Sequence, residues 1–255
     1  MAETELSLHA IAGVPMVQPG DHLATVVLTA LANEGVALAD GDILVLAQKI
    51  VSKAEHRQFK LADIEASEEA KSLALEVDKD PRLVQLILNE SLEVLRKKPG
   101  VLIVRHKLGL VGANAGIDQS NIDHGSAEEA LLLPADPDAS AVQLVDTIKT
   151  RTGKQTGVII ADSMNRPWRM GTIGGAIGCA GVHVLDDHRG GTDLYGRELK
   201  VTLINRADAL AGAATLLMGE TTEKIPLVLI RGIAPYQGSD SARDIPRPLE
   251  EDMFR

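Results

Sequence analysis

The chain has 255 residues, of which 45% are hydrophobic and only 2% aromatic, so it can bury one large aliphatic core or two modest ones. Its formal net charge of −10 argues against nucleic acid as a general partner, and an anionic ligand would need a local basic patch. The lone cysteine, Cys179, excludes an internal disulfide, and an acidic start without long apolar runs predicts a soluble cytoplasmic protein with no signal peptide.

Turn signals and apolar runs predict the elements of the first half of the chain. Asp40-Gly41-Asp42 is typical of a turn, and Ile43 to Ala47 after it is typical of a buried strand. Asp80-Pro81 predicts a helix start, and apolar residues at helical spacing predict that this helix continues to Pro99-Gly100. The apolar run Val101 to Val104 predicts a second buried strand.

The same signals recur from residue 138 onward. Asp138 is predicted to cap a helix that Gly153 ends. Val158 to Ile160 and Val201 to Ile204 each predict a strand.

The last part of the chain predicts one more helix and one more strand. An alanine-rich helix is expected from about Ala207 to Leu217, and a strand from Leu227 to Ile230. The charged, proline-containing residues 238–255 predict an extended tail that is either mobile or draped over a partner. Strands alternating with helices indicate an α/β or mixed α+β architecture whose strand order the sequence does not give.

A polar segment follows the predicted strand Val158 to Ile160 at once. Asp162 and Ser163 combine a carboxylate with a hydroxyl, which suits a hard cation such as magnesium. Arg166 and Arg169 follow, and a planar guanidinium group donates two hydrogen bonds at once to a phosphate or carboxylate. The segment is consistent with a metal-assisted reaction on an anionic substrate, and equally with a turn capped by Asp162 beside surface ion pairs.

A second candidate segment, Gly109 to Asn121, is rich in small residues that let a backbone approach a ligand closely. Its Asp118 could share a cation with Asp162, because one metal ion reconciles two converging carboxylates. Since Asn, Asp and Gly also favour turns, composition alone favours an ordinary surface turn here.

Two lysines, Lys49 and Lys53, follow the predicted strand Ile43 to Ala47. They would share one face if the segment turns helical, and an anion between them would relieve their repulsion. Solvated surface lysines are the commoner explanation of such a pair. The segment does not match the phosphate-binding P-loop, and no Gly-x-Gly-x-x-Gly turn follows the first strand.

Two further segments surround the alanine-rich helix. In Met218 to Ile225, Gly219 is typical of a helix C-terminal cap and Glu220 is a candidate metal ligand. The glycine-rich Gly171 to Gly181 would suit either a loop that wraps a ligand or close packing in a crowded core. The histidines show no metal-ligand spacing, and no Ser/His/Asp set is apparent.

Taken together and in this order, the segments resemble the coenzyme F420-0:L-glutamate ligase family over nearly the whole chain. The stretches that carry the resemblance are Gly13–Met16, Gln48–Glu55, Asn114–Asn121, Asp162–Arg169, Asp193–Leu199, Met218–Glu220, Arg231-Gly232, Ser241–Asp244 and Phe254-Arg255.

The resemblance implies a fold, a reaction and an assembly. Family members have an intertwined two-part α/β (mixed α+β) fold, so one ligase domain is expected over residues 1–255, with a division into two subdomains left open. They join the amino group of L-glutamate to a carboxylate of F420-0 with GTP, through an acyl phosphate, and can add further gamma-linked glutamates. They use Mg²⁺ or Mn²⁺ at two sites, are helped by K⁺, and form homodimers.

The resemblance also assigns residues. Asp118 and Asp162 would hold one divalent metal, and Ser163 and Glu220 would contribute to a second. The residues that would line the GTP site are Gly13, Val14, Pro15, Met16, Gln48, Lys49, Lys53, Asn121, Met218, Gly219, Glu220, Thr221, Thr222, Glu223, Lys224 and Ile225. Arg166 and Arg169 are predicted from their own chemistry to bind substrate phosphate or carboxylates, and no general base is assigned.

Two residues depart from the family pattern. His56 and Asn165 stand where glycine is common, and Asn tolerates left-handed backbone angles better than most residues. These departures concern acceptor fit rather than reaction class. Two alternatives to this ligase stay open: a GTP-dependent amide ligase that acts on a different acid or amino acid, and a non-catalytic GTP-binding protein.

Overall fold

The computed structural model describes residues 5–122, 127–165 and 167–253. Within these residues the strands, in chain order, are β1 (Ser7–Ala10), β2 (Ile43–Ala47), β3 (Gln58–Lys60), β4 (Ser91–Lys98), β5 (Val101–His106), β6 (Val111–Ala113), β7 (Glu129–Leu131), β8 (Gly157–Asn165), β9 (Thr172–Ala180), β10 (Leu185–Asp187), β11 (Leu203–Asn205) and β12 (Leu227–Arg231). The α-helices are α1 (Leu23–Asn33), α2 (Gln48–Ala54), α3 (Glu68–Val77), α4 (Pro81–Asn89), α5 (Pro137–Thr152) and α6 (Arg206–Met218). Short 3-10 turns cover Leu61–Asp63, Asn114–Gly116, Ala242–Asp244 and Leu249–Glu251.

The central element is a five-stranded sheet in the order β1-β12-β2-β8-β9. Only β2 and β8 run parallel within it, and their register pairs Ile43 with Gly157 and Ala47 with Ala161. Parallel neighbours direct their carboxyl ends to the same edge of a sheet. The segments that follow β2 and the end of β8 are therefore brought together.

Helices cover both faces of this sheet, as a buried parallel pair requires. On one face, α1 and α5 pack against alternate side chains of β2, including Leu44 and Leu46. On the other face, α6 packs against the intervening residues Ile43 and Val45. The mixed α/β architecture predicted from the alternation of elements is confirmed, and the continuous apolar run of β2 is explained by burial on both sides.

A second core lies outside the central sheet. It is formed by α3 and α4 packed on β5 and the β3–β7 pair, with Val84, Ile87 and Leu102 fully buried at its centre. The antiparallel sheet β4-β5-β6 completes this part of the molecule. Aliphatic side chains dominate both cores, as the scarcity of aromatic residues predicts.

Several predicted elements are confirmed with small shifts of their boundaries. Strands β2, β5 and β12 include the predicted runs, and α6 contains the alanine-rich segment. Helix α5 ends at Gly153, whose φ of 71° permits a left-handed cap. Its start was wrongly placed, because Asp136 accepts the capping bond from the backbone N–H of Ala139 at 3.1 Å. Asp138 lies in the first turn instead.

The predicted long helix from Pro81 to Pro99-Gly100 is wrong. Helix α4 ends at Asn89, and β4 then pairs with β5 in an antiparallel hairpin. Pro99-Gly100 forms the hairpin turn, with Gly100 at φ 84°. Leu92 has the spacing of the next apolar helix residue, but it lies in β4 and is 65% exposed, so its spacing does not reflect a buried helix face.

Two strand predictions also need correction. Strand β8 does not end at Ile160 but extends through Asp162 and Ser163 to Asn165. Its partner β9 extends the hairpin, so ladder hydrogen bonds continue through the polar residues. Strand β11 covers Leu203–Asn205 rather than Val201 to Ile204, and Val201 is exposed.

The glycine-rich segment Gly171 to Gly181 is mostly strand β9, which favours the close-packing interpretation. A Cβ atom on Gly178 would lie 2.4 Å from the carbonyl oxygen of Pro137 in α5. A Cβ atom on Gly174 would lie 2.6 Å from the carbonyl oxygen of Ala211 in α6. Glycine therefore lets β9 approach the backbones of both helices.

The described part of the tail packs on its own chain. The backbone N–H of Ala242 donates to Asp138 Oδ1 at 2.8 Å, and Arg243 pairs with Asp136 at 2.6 Å. Asp138 Oδ1 also accepts from the N–H of Cys179, so one buried carboxylate joins α5, β9 and the tail. None of the helices in the described ranges combines the length and the apolar character needed to cross a membrane.

Candidate functional site

A cleft of about 430 Å³ opens where β2 ends, beside residues 161–163 of β8 and the end of α6. Its walls come from the segment after β1, from α2, from β8 and from the loop after α6. The residues that line it are Val14, Pro15, Met16, Val17, Ala47, Gln48, Lys49, Ile50, Lys53, Asn121, Ile122, Ala161, Asp162, Ser163, Thr215, Met218, Gly219, Glu220, Thr221, Thr222, Glu223, Lys224, Ile225 and Pro226.

Helix α2 carries the two lysines of the cleft. Because the segment is helical, Lys49 and Lys53 share one face, as predicted for that case. Lys49 Nζ lies 2.5 Å from Asp118 Oδ2 and 3.0 Å from both the carbonyl oxygen and the hydroxyl of Ser120. Lys53 Nζ donates to the carbonyl oxygen of Asn121 at 3.0 Å. The two ammonium groups thus anchor the 118–121 loop to the edge of the cleft.

Asp118 is held as a carboxylate by this arrangement. Burial acts to raise its pKa, but the hydrogen bond from Lys49 and the backbone N–H of Ser120 bring the pKa below the usual value. Two residues just before it, Asn114 and Ala115, adopt left-handed backbone angles with φ of 53° and 56°. Asparagine tolerates such an angle, but for Ala115 it costs free energy that contacts elsewhere in the loop must offset.

Asp162 lines the cleft and follows a β-bulge. Ile160 pairs with Gly178 and Ala161 pairs with Ala176, so β9 carries one extra residue between these partners. Bulges re-aim the side chains that follow them. Burial raises the pKa of Asp162 to about 7, and repulsion from Asp118 and Glu220 adds to this.

The loop after α6 brings Glu220 to the next residue of β8. Ser163 Oγ lies 2.6 and 2.7 Å from the two carboxylate oxygens of Glu220. Gly219 ends the helix at φ 70°, as predicted for a C-terminal cap. Glu223 then accepts hydrogen bonds from the backbone N–H and hydroxyl of Thr221 at 2.8 and 3.1 Å, which folds the loop back on itself.

The oxygen donors form two pairs. Asp118 and Asp162 repel one another electrostatically, while Ser163 and Glu220 share a hydrogen bond. Among the residues that the structure describes, no three His, Cys, Asp or Glu side chains form a group that could hold a metal ion alone. Mg²⁺ is commonly held by one or two carboxylates together with water and substrate phosphates. The donor set therefore fits a metal that arrives with a phosphate ligand.

Most of the residues predicted for the GTP site line this one cleft, although they come from four separate segments. Gly13 and Asp118 are the two members of the assigned site that do not line it, and Asp118 reaches its edge through Lys49. Arg169 is exposed and is not among the lining residues. Arg166 lies outside the described residues.

Sequence reasoning missed some of the lining residues. Those not predicted are Val17, Ala47, Ile50, Ile122, Ala161, Thr215 and Pro226. Most are apolar neighbours of predicted residues, and nothing in their type distinguishes them from core positions. Thr215 could have been found, because it lies three residues before Met218 on the same helix face.

Comparison with known proteins gives a consistent result. The sequence model of the family described as F420-0:Gamma-glutamyl ligase matches residues 13–232. The protein named coenzyme F420:L-glutamate ligase from Methanothermobacter thermautotrophicus is 42% identical over 252 residues, which cover 98% of this chain and 99% of that protein. Proteins of the same name from Methanopyrus kandleri and Archaeoglobus fulgidus are each 44% identical, over 94% and 96% of this chain and 93% and 94% of their own lengths.

Proposed function

The chain belongs to the F420-0:gamma-glutamyl ligase family, whose members form a carbon–nitrogen bond, and on that premise we propose that it joins L-glutamate to coenzyme F420-0 with GTP and a divalent metal. The observation that carries the proposal is the match over nearly the full length to relatives named coenzyme F420:L-glutamate ligase. GTP and the divalent metal are added from the resemblance of the site residues. The cleft adds support, because carboxylates and lysines from distant segments converge there.

The reaction needs activation of a carboxylate, which is a poor electrophile. In the proposed sequence, a carboxylate oxygen of F420-0 attacks the γ-phosphorus of GTP, which yields an acyl phosphate and GDP. The amine of L-glutamate then attacks the acyl carbon, the carbon–oxygen bond to phosphate breaks, and the amine loses a proton as the amide forms. Phosphoryl transfer of this kind depends mostly on positioning and on neutralising charge.

The residues of the cleft suit that task. Lys49 and Lys53 place two positive charges along one face of α2, where phosphate oxygens can compete with the protein oxygens that now accept hydrogen bonds from the two ammonium groups. Asp118 and Asp162, and separately Ser163 and Glu220, would hold Mg²⁺ or Mn²⁺. When bound, these ions neutralise charge on the transferring phosphoryl group.

The acceptor side of the site is proposed from chemistry alone. Arg169 lies beyond the end of β8, on the same hairpin that presents Asp162 and Ser163, and its guanidinium is exposed. An arginine there is suited to the phosphate or carboxylates of a substrate that extends out of the cleft. Arg166 is proposed for the same role from the sequence.

The test is a ligation assay. Purified protein incubated with F420-0, GTP, L-glutamate and Mn²⁺ should yield a product heavier by one glutamyl residue, as seen by mass spectrometry, together with GDP. A folded protein that binds GTP but gives no mass gain would contradict the proposal. Release of GDP with another acid or amino acid would instead support a ligase of different substrate, whereas binding without any GDP release would indicate a non-catalytic protein.

A further inference from the structure

Gln48 is a buried polar side chain at the start of α2. Its exposed fraction is 2%, and its Oε1 accepts a hydrogen bond from Ser52 Oγ, one turn further along the helix, at 2.8 Å. Ser52 is completely buried and is not among the residues that line the cleft, whereas Gln48 is. Ser52, which a ligand in the cleft cannot reach, therefore contacts Gln48, which such a ligand can reach.

In this hydrogen bond Ser52 Oγ donates to Oε1, so Nε2 is the end of the amide that is left for the cleft. A serine hydroxyl can also accept, so the charges around the amide select between its two orientations. The two ends of an amide differ in hydrogen bonding, because the oxygen accepts and the nitrogen donates. With Oε1 held by Ser52, Nε2 is left without a hydrogen-bond partner among the described residues. The reverse orientation would turn an acceptor towards a cleft that already carries the carboxylates of Asp162 and Glu220.

An amide donor that faces a cleft needs an acceptor oxygen, which water provides in the empty cleft and a ligand must provide when it displaces that water. The other donors of α2 in the cleft, Lys49 and Lys53, already bond to oxygens of the 118–121 loop. Gln48 is thus a neutral donor on the same short helix, aimed at the space that the lysines border.

We propose that Ser52 is a positioning residue, which fixes the Gln48 amide so that its NH₂ group donates to an acceptor oxygen of bound GTP. The proposal rests on the proposed function, because it takes GTP as the occupant of the cleft. Ser52 acts only through Gln48 and touches no substrate.

Variants of both residues test this inference. Ser52→Ala should raise both the Kd and the KM for GTP by about 3- to 10-fold, the value of one hydrogen bond, while kcat changes by less than about twofold. In a Gln48→Ala background the same substitution should have no further effect, because the residue through which Ser52 acts is gone. Ser91→Ala is the matched control, since it also removes one serine hydrogen bond, to the Ile87 carbonyl oxygen at 2.6 Å in the second core region.

A second variant keeps Ser52 intact, in case the alanine variant does not fold. Gln48→Glu retains an oxygen for the Ser52 hydroxyl but turns an acceptor towards the nucleotide, so it should bind GTP more weakly than Gln48→Ala does. The inference is overturned if Ser52→Ala binds GTP like the wild type, if its effect persists in the Gln48→Ala background, or if Gln48→Glu binds GTP at least as tightly as Gln48→Ala. A wild-type protein that does not bind GTP would instead remove the proposed function itself.

Discussion

Asp162 in the cleft has a strongly raised pKa, and burial is its main cause. Its pKa is raised to about 7, whereas an aspartate in an unfolded chain has a pKa of about 4. Between these values the folded protein holds a proton that the unfolded chain has released. The free energy of unfolding of the metal-free protein therefore falls as the pH rises through this window and levels off above it.

Asp162→Asn should remove this dependence, because an amide does not ionise. In EDTA, the variant should exceed the wild type in free energy of unfolding by on the order of 1–2 kcal/mol above about pH 7, after allowance for solvent in the cleft, and by little near pH 4. Denaturant titrations across this range measure the difference. A gap that does not vary with pH would show that Asp162 is not the group responsible.

The same variant tests the catalytic assignment. Asp162→Asn should lower ligase turnover by about 100-fold or more, because a neutral amide does not replace a carboxylate as a metal ligand. Circular dichroism should show an unchanged fold, and the Mn²⁺ concentration needed for activity should rise. Turnover at the wild-type rate would remove Asp162 from the reaction.

His56 and Asn165, which stand where the family commonly has glycine, differ in their backbone conformation. His56 has φ 57°, a left-handed conformation that glycine adopts without strain, so the common glycine at this position has a backbone reason. Asn165 is extended in β8, and Trp168 at φ 65° is the left-handed residue other than glycine among the described residues of this turn. The sequence identified both positions, but backbone angles at a turn depend on the strands that flank it.

At the scale of elements, prediction succeeded where local signals and packing agree. Strand β2 was predicted from the sequence because it is apolar throughout. Helix α6 was predicted because its residues are alanine-rich and Gly219 ends it. The prediction failed at β4, where leucines at helical spacing follow α4 and only pairing with β5 makes the segment a strand. Such long-range pairing leaves no periodicity in the sequence of an exposed strand.

Strand β9 offers a test of packing between elements. Gly178→Ala should lower the free energy of unfolding by about 1–3 kcal/mol, because the new methyl group would meet the backbone of Pro137. Gly175→Ala is the matched control, since its methyl group would meet the flexible Met164 side chain, which can move. Denaturant titration measures both variants. Equal destabilisation would show that the close approach of β9 to the α5 backbone does not decide whether a methyl group is tolerated.

At the scale of the whole molecule, the ordered set of short motifs predicted the site better than any one motif. Residues from five segments converge because β2 and β8 run parallel and α6 ends beside them. The sequence does not give strand order, so it could not show that Lys49 would pair with Asp118 across 69 positions. It also gave no sign of the bulge that precedes Asp162.

The homodimer remains a prediction, and exposed apolar side chains support it. Trp168, Met170, Leu194 and Tyr195 are each at least 90% exposed, and such side chains often mark interaction surfaces. The wild type should sediment as a dimer at micromolar concentration, and Met170→Glu should raise the dimer dissociation constant by about tenfold or more. Leu75→Glu, at an 87% exposed position on α3, should have no effect. A monomeric wild type would refute the prediction.

The most direct test of the central claim follows an oxygen atom. The assay uses F420-0 with ¹⁸O in its carboxylates, unlabelled GTP, L-glutamate and Mn²⁺, and mass spectrometry of the released phosphate. If the carboxylate attacks the γ-phosphorus, each amide formed transfers one ¹⁸O into inorganic phosphate, and GDP appears in equal amount. Amide formation with unlabelled phosphate, or GTP consumption without an amide, would contradict the account.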